Sequence, residues 1–173
     1  LGADKALAAA LAAEAAQGEV CQVANDNGGG QVVISGTKAA IDRAIALAPS
    51  KGIRRAMPLP VSAPFHCALM QPAAEAMAEA LAKATINVPN VPVVANVLAS
   101  AITDPAEIRA RLVEQVTGSV RWAESMAWLG GKGVTRFVEI GAGKVLSGLV
   151  KRIVEGATGA NVGTPEDVAG YQG

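Results

Sequence analysis

Apolar and polar positions divide the chain into short periodic stretches separated by Gly, Pro and Asn. Residues 3–17 are rich in Ala and Leu, strong helix formers, and stop at Gly18, which predicts a helix. Residues 20–24 and 31–35 are β-favouring runs and predict two strands. They are joined across Asn25-Asp26-Asn27-Gly28-Gly29-Gly30, a run of turn formers. Thr37 can cap a helix over 38–47, with Ile41, Ile45 and Ala48 on one face and Pro49 and Gly52 ending it. Residues 53–61 read as extended. The order helix, strand, strand, helix, strand fits a small α+β sandwich of the ferredoxin-like kind that needs one more strand in front, before Leu1.

After Ser62 the pattern changes. Pro72 can start a helix over 73–84, and Val93-Val94 is the expected buried strand within 86–97. Asp104, Pro105 and Glu107 form a helix start: a cap, a proline at the first helical position, and an acid three residues after the cap. Ile108, Leu112 and Val116 share one face of that helix. A further helix is expected over 121–129, stopped by Gly130-Gly131. A strand over 134–140 then turns at Gly141-Ala142-Gly143 into a helix from Lys144 to about Val154. Strands alternating with helices predict a mostly parallel α/β layer. The last stretch, 156–173, is Gly-rich and aperiodic and reads as a flexible tail. The expected division is therefore 1–61, 62–155 and 156–173.

Composition narrows the function classes. Half of the residues (51%) are apolar, which argues against a disordered chain, and aromatics are only 3%, so aliphatic side chains must fill the core. Basic and acidic residues number 15 each, so no charge excess points to nucleic acid or an anionic membrane. The stretch 84–103 is uncharged and long enough to span a bilayer. Pro89, Pro92, Asn87, Asn90 and Asn96 within it favour buried strand and loop. No signal peptide is visible, and the chain enters a helical pattern directly at Leu1, so it reads as a piece of something longer. Cys21 and Cys67 lack metal-ligand spacing and His66 is the only histidine, so no metal site is expected. Two isolated cysteines suit a reducing cytosol.

Few residues remain for chemistry. A phosphate loop fails at Lys132–Lys144, because Val138 stands where the pattern needs Gly and Val145 follows Lys144. His66 follows Pro58, Pro60 and Pro64 at the point where the two patterns meet. An imidazole held there by a stiff segment serves as a general base or as a hydrogen-bonded structural group, and the residues alone leave both open. No Gly-x-Ser-x-Gly elbow occurs. Ser62 lies four residues before His66 without elbow features, and Cys67 adjoins it but points to the opposite side of an extended segment. The chain has a candidate base and nothing for it to activate.

Five blocks in order carry a resemblance. They are Asn25 to Gly36 (with Gln31-Val32-Val33-Ile34 at its centre), Leu59 to Met70 around Phe65-His66, Pro92-Val93-Val94-Ala95-Asn96-Val97, Ser119-Val120-Arg121-Trp122, and Phe137 to Leu146. Together they resemble the C-terminal part of the malonyl-CoA:acyl carrier protein transacylases of bacterial fatty-acid synthesis. The resemblance implies an α/β fold, with part of an α/β-hydrolase-like large subdomain and an incomplete ferredoxin-like small one. It implies ping-pong malonyl transfer from coenzyme A to the phosphopantetheine thiol of acyl carrier protein, with His66 as base and a serine nucleophile that this chain lacks. It also implies backbone carbonyls orienting His66, with Ser119, Val120 and Arg121 as the matching region. Phe65 would shape the acyl pocket against a branched substrate, and Asn25 and Asn27 would line the cleft, with weaker expectations for Gln31 and Asn96. The implied partners are acyl carrier protein, a coenzyme A thioester and an N-terminal half bearing the serine. No cofactor or metal is implied, and the setting would be cytoplasmic. The sequence departs from the family pattern at Gly28-Gly29, where Ser-Pro is usual, and at Ala142, where Pro is usual. Two other readings stay open: a catalytically silent fragment or carrier-protein-binding module, and an acyltransferase domain of a polyketide synthase.

Overall fold

The computed structural model describes residues 1–171 and has mixed α/β architecture. By internal packing it forms two compact units, 1–125 and 126 onward. The expected boundary at 61/62 is not this division, because residues 62–125 pack with 1–61 in the first unit.

The first unit opens with α1 (Lys5–Ala16), where Asp4 Oδ1 accepts the Leu7 N–H at 2.8 Å. It continues through β1 (Cys21–Asp26), β2 (Val32–Gly36) and α2 (Lys38–Leu47). Thr37 caps α2, its Oγ1 accepting the Ala40 N–H at 3.3 Å. The two strands pair antiparallel, with a bulge between Val23 and Asn25. The two helices pack together through a core of small side chains, Ala12, Ala15, Ala40 and Ala44, together with Leu11, Cys21 and Ile53. Alanine at the contact lets helices approach closely and offsets the scarcity of aromatics. Arg43 spans the two helices and donates to Ala15 O (2.8 Å), in the last turn of α1, and to Ala16 O (3.0 Å), which also accepts the Glu19 N–H (2.8 Å).

The same unit adds α3 (Gln71–Lys83), β3 (Val93–Ala95), β4 (Ser100–Ile102) and α4 (Pro105–Thr117). Asp104 caps α4 as expected, accepting the Glu107 N–H at 2.8 Å. The hairpin of β3 and β4 was not foreseen. Its four-residue connection is too short for a parallel crossover and bends through Ala99 in the left-handed region (φ 54). The uncharged stretch 84–103 holds this hairpin. Among the described residues, no helix is long and apolar enough to cross a membrane. Residues 53–61 are irregular rather than a regular strand.

Helix α5 (Trp122–Gly131) carries the chain into the second unit. There β5 (Arg136–Ile140) pairs in parallel with β6 (Thr158–Val162), with α6 (Val145–Val150) between them in sequence and α7 (Pro165–Gly170) last. The expectation of a mostly parallel layer needs correction: among the described residues one strand pair is parallel and two are antiparallel. The flexible tail needs correction too. Residues 158–162 and 165–170 are ordered elements, and two glycines there serve close packing rather than freedom. A Cβ on Gly159 would stand 3.3 Å from Ser147 Cβ, and one on Gly163 would stand 2.8 Å from Gly141 O. Thr164 and Asp167 form a reciprocal capping box around Pro165. The end of the expected tail, Gln172 and Gly173, lies outside the described residues.

Candidate active site

His66 sits in a strained turn. Its backbone adopts the left-handed region (φ 59), uncommon outside glycine and often a mark of function. Side-chain bonds on both sides of it support the turn. Cys67 is fully buried and its Sγ donates to Pro64 O at 3.1 Å. The Ala68 N–H donates to Gln22 Oε1 at 2.8 Å, tying the turn to β1. This disposition leaves Cys67 a structural thiol.

The imidazole Nδ1 lies 3.0 Å from Gln115 O, in the last turn of α4. A carbonyl only accepts, so Nδ1 carries the proton and Nε2 keeps a free lone pair. The Gln115 amide Nε2 is also 3.4 Å from Nδ1, but its better bond goes to Gly118 O at 2.9 Å. Within the region expected to orient the ring, Val120 and Arg121 make other bonds, and Ser119 shares only a smaller groove with His66. Val120 O accepts the Asp26 N–H (2.9 Å) and Val120 N–H donates to Ala24 O (2.8 Å). Arg121 O accepts from Ser125 N–H (2.9 Å) and Ser125 Oγ (2.8 Å). These carbonyls are committed, whereas a helix's last carbonyls have no intrahelical partner and are available to a ring N–H. Gln115 escaped the sequence reading because it acts through its main chain. The legible signal was the helix end at Thr117-Gly118.

His66 lines a groove of about 1010 Å³ together with Phe65, Asn25, Asn27 and Gln31. The three site residues expected beside it are therefore brought together with it, and Gln31 joins them. Asn96 does not line this groove; its carbonyl accepts the Arg121 N–H at 3.1 Å. Ser119 meets His66 in a smaller groove of about 440 Å³ on another side, with Gln22 and Thr117.

Arg121 braces this region. Its Nη1 donates to Val97 O (3.1 Å) and Leu98 O (3.2 Å), and its other edge engages Glu124. Glu124 also meets Lys5 Nζ at 2.7 Å. The Arg121 bonds, then the Lys5 bond, hold the Glu124 carboxyl down to about 2. Burial pushes the Cys21 thiol up. In the second unit, the turn after β5 accepts no anion at its helix start. Glu139 already takes the N–H groups of Leu146 (3.2 Å) and Ser147 (2.8 Å), and its carboxyl is lowered by them. Among the described residues, no group of three His, Cys, Asp or Glu side chains is placed to hold a metal ion.

A scan against protein-family models finds no match. Individual relatives are close. The chain is 47% identical over 165 residues to the malonyl CoA-acyl carrier protein transacylase of Salmonella typhimurium, covering 95% of this chain and 53% of that protein. This chain is a homologue of the malonyl CoA-acyl carrier protein transacylases. It spans about half the length of the curated transacylases it matches. An acyl carrier protein S-malonyltransferase from Vibrio cholerae superposes with a TM-score of 0.93 at 44% identity, over 99% of this chain and 56% of the other. A malonyl-transacylase solved in complex with a type II PKS acyl-carrier protein gives 0.91 at 40% identity, over 98% and 55%.

Proposed function

We propose that this chain is the base-bearing part of a malonyl-CoA:acyl carrier protein transacylase. The observation that carries the reading is the His66 ring. Gln115 O fixes its tautomer, and its free nitrogen belongs to a side chain that shares the large groove with Phe65, Asn25 and Asn27. The identity to named transacylases supports the choice of reaction. In the proposed cycle a serine, supplied by residues outside this chain, attacks the malonyl thioester while His66 Nε2 takes its proton. The carbonyl carbon forms a bond to the serine oxygen, its bond to sulfur breaks, and the proton passes from His66 to the departing coenzyme A thiolate. The phosphopantetheine thiol of acyl carrier protein then gives its proton to His66 and its sulfur bonds to the acyl carbon; the bond to the serine oxygen breaks, and that oxygen takes the proton back from His66. The imidazolium formed in each half-reaction faces the carbonyl end of α4, where the helix dipole favours positive charge.

In this reading, residues 1–61 belong to an incomplete ferredoxin-like small subdomain and 62–155 to part of a hydrolase-like large one. Phe65 crowds the α-carbon of the acyl group and so disfavours a methyl branch, and Asn25 and Asn27 line the cleft. The enzyme works in the cytoplasm with coenzyme A thioester and acyl carrier protein as its substrates, and needs no cofactor. The chain alone is inactive for want of the nucleophile. Intact mass spectrometry of the longer protein after incubation with malonyl-CoA tests this: one malonyl adduct is expected, released by carrier protein. No adduct on the longer protein, or an adduct on this chain by itself, would overturn the reading.

A further inference from the structure

The smaller groove, of about 440 Å³, is bordered by a circuit of contacts that returns to His66. His66 Nδ1 meets Gln115 O (3.0 Å) in the last turn of α4, which ends at Thr117-Gly118. Just beyond, Val120 lies beside β1: its N–H donates to Ala24 O (2.8 Å) and its carbonyl accepts the Asp26 N–H (2.9 Å). Back along β1 from Ala24 stands Gln22, whose Oε1 accepts the Ala68 N–H (2.8 Å). Ala68 follows His66 and Cys67 in the chain, which closes the circuit. Two side chains take part in it. One is the base itself, and the other is Gln22.

The left-handed backbone of His66 needs support, because a residue with a Cβ holds that conformation only where its surroundings impose it. The Cys67 bond to Pro64 O shapes the turn from within but does not say where the turn sits. Gln22 does that. It fastens the turn to β1, the strand that carries Asn25 and leads into the loop bearing Asn27, both of which line the large groove. The reach from the base to that side of the groove therefore passes through the Gln22 amide. Gln22 itself does not line the large groove. It is exposed, and one exposed neutral hydrogen bond adds little to global stability, so its effect falls on the ring rather than on the fold.

We propose that Gln22 is a positioning residue for the base: by accepting the Ala68 N–H it keeps His66 Nδ1 against Gln115 O and holds Nε2 at a fixed reach from the Asn25 side of the large groove. This rests on the reading of His66 as the base of a transacylase. Loss of the bond lets the turn relax and the ring drift, which slows proton transfer and leaves thioester binding alone. The donor can also be deleted from the other side. Ala68 opens the short helix Ala68–Met70, and Cys67 before it is extended (φ −143, ψ 173). Proline fits the first position of a helix after an extended residue, so Ala68→Pro removes the N–H without straining the backbone, and the exposed end of Gln22 swings aside.

Steady-state kinetics and proton NMR on the complete protein test this. Gln22→Met keeps the length of the side chain and removes the acceptor. It is expected to lower kcat for malonyl transfer by about tenfold, with KM for malonyl-CoA changed less than about twofold and the urea midpoint nearly unchanged. Gln22→Glu keeps an oxygen acceptor at the same reach and is expected to restore kcat to within about threefold of the parent. Ala68→Pro is expected to match the loss in Gln22→Met, and the double variant to lose no more than either alone, because both delete one bond. In protein labelled with 15N-histidine, the downfield Nδ1 proton signal of His66, assigned by its absence in His66→Ala, is expected to fade in Gln22→Met and to return in Gln22→Glu. Parental kcat in both Gln22→Met and Ala68→Pro, a loss confined to KM, or an additive loss in the double variant overturns the proposal. The two readings fail separately. Normal transfer with a ring signal indifferent to Gln22 sinks the positioning role alone, and a ring signal that follows Gln22 in a protein that takes no malonyl sinks the transacylase reading alone.

Discussion

Replacing Arg121 by Met removes the brace while keeping the length of the side chain. Two bonds from a charged donor to Val97 O and Leu98 O are lost. Such bonds contribute roughly 1.5–3 kcal/mol each when desolvated. Arg121 is about a third exposed, so water recovers part of this, and about 1 kcal/mol each is a fair allowance. The pair with Glu124, itself little more than a third exposed, adds up to about 1 kcal/mol. The total is roughly 2–3 kcal/mol, which lowers the melting temperature by about 4–12 °C for 150–250 residues and by roughly half that for a protein about twice this length. Thermal and urea unfolding of the complete protein reads both numbers. Acid titration supplies a second check. Glu124 is held down to about 2 from 4.5, so its contribution is full above pH 4.5 and is lost as pH falls toward 2. Arg121 is the main cause of that depression, so the variant loses less stability than the parent across that window. A change below about 0.5 kcal/mol, or an unaltered acid slope, would refute the account.

His66→Ala in the complete protein is expected to lower malonyl transfer by about 10²–10⁴-fold, read in a steady-state assay, with unfolding nearly unchanged. Phe65→Ser is expected to lower the malonyl-to-methylmalonyl preference by about tenfold or more, measured by competition between the two thioesters. Gly36→Ala forces a Cβ to 2.1 Å from Val20 O and is expected to destabilise by roughly 2–4 kcal/mol, read by urea unfolding. Cys21 and Cys67 are both buried, so neither is expected to react with a thiol reagent until urea opens the fold; prompt labelling of the native protein would contradict their placement.

Local chemistry made the helices legible. Asp104-Pro105 and Thr37 announce their caps in the residues themselves, and α2 and α4 begin where those caps predict. The β3–β4 hairpin was missed because each strand is three residues long, too short to show a period. Residues 158–170 were misread because glycine count was taken for freedom, whereas Gly159 and Gly163 answer to neighbours distant in sequence. At the site, His66 was a candidate on its own chemistry, whereas Phe65, Asn25 and Asn27 came only with the family resemblance; all four line one groove. Gln115 was not legible, because its contribution is a carbonyl that every residue possesses. What selects it is the position of a helix end, a property of the fold rather than of the residue type.

The Asn161 amide on β6 donates to the carbonyls of Glu139, Gly141 and Gly143, so the second-last element holds the turn that follows β5. This has a genetic consequence. A stop codon or frameshift between the codons for Gly156 and Val162 would leave the proposed base intact in the message. Its product would nonetheless lose the only parallel partner that β5 has among the described residues. Such alleles are expected to behave as null through protein turnover, and to be rescued by lower growth temperature more readily than by overexpressing the substrate.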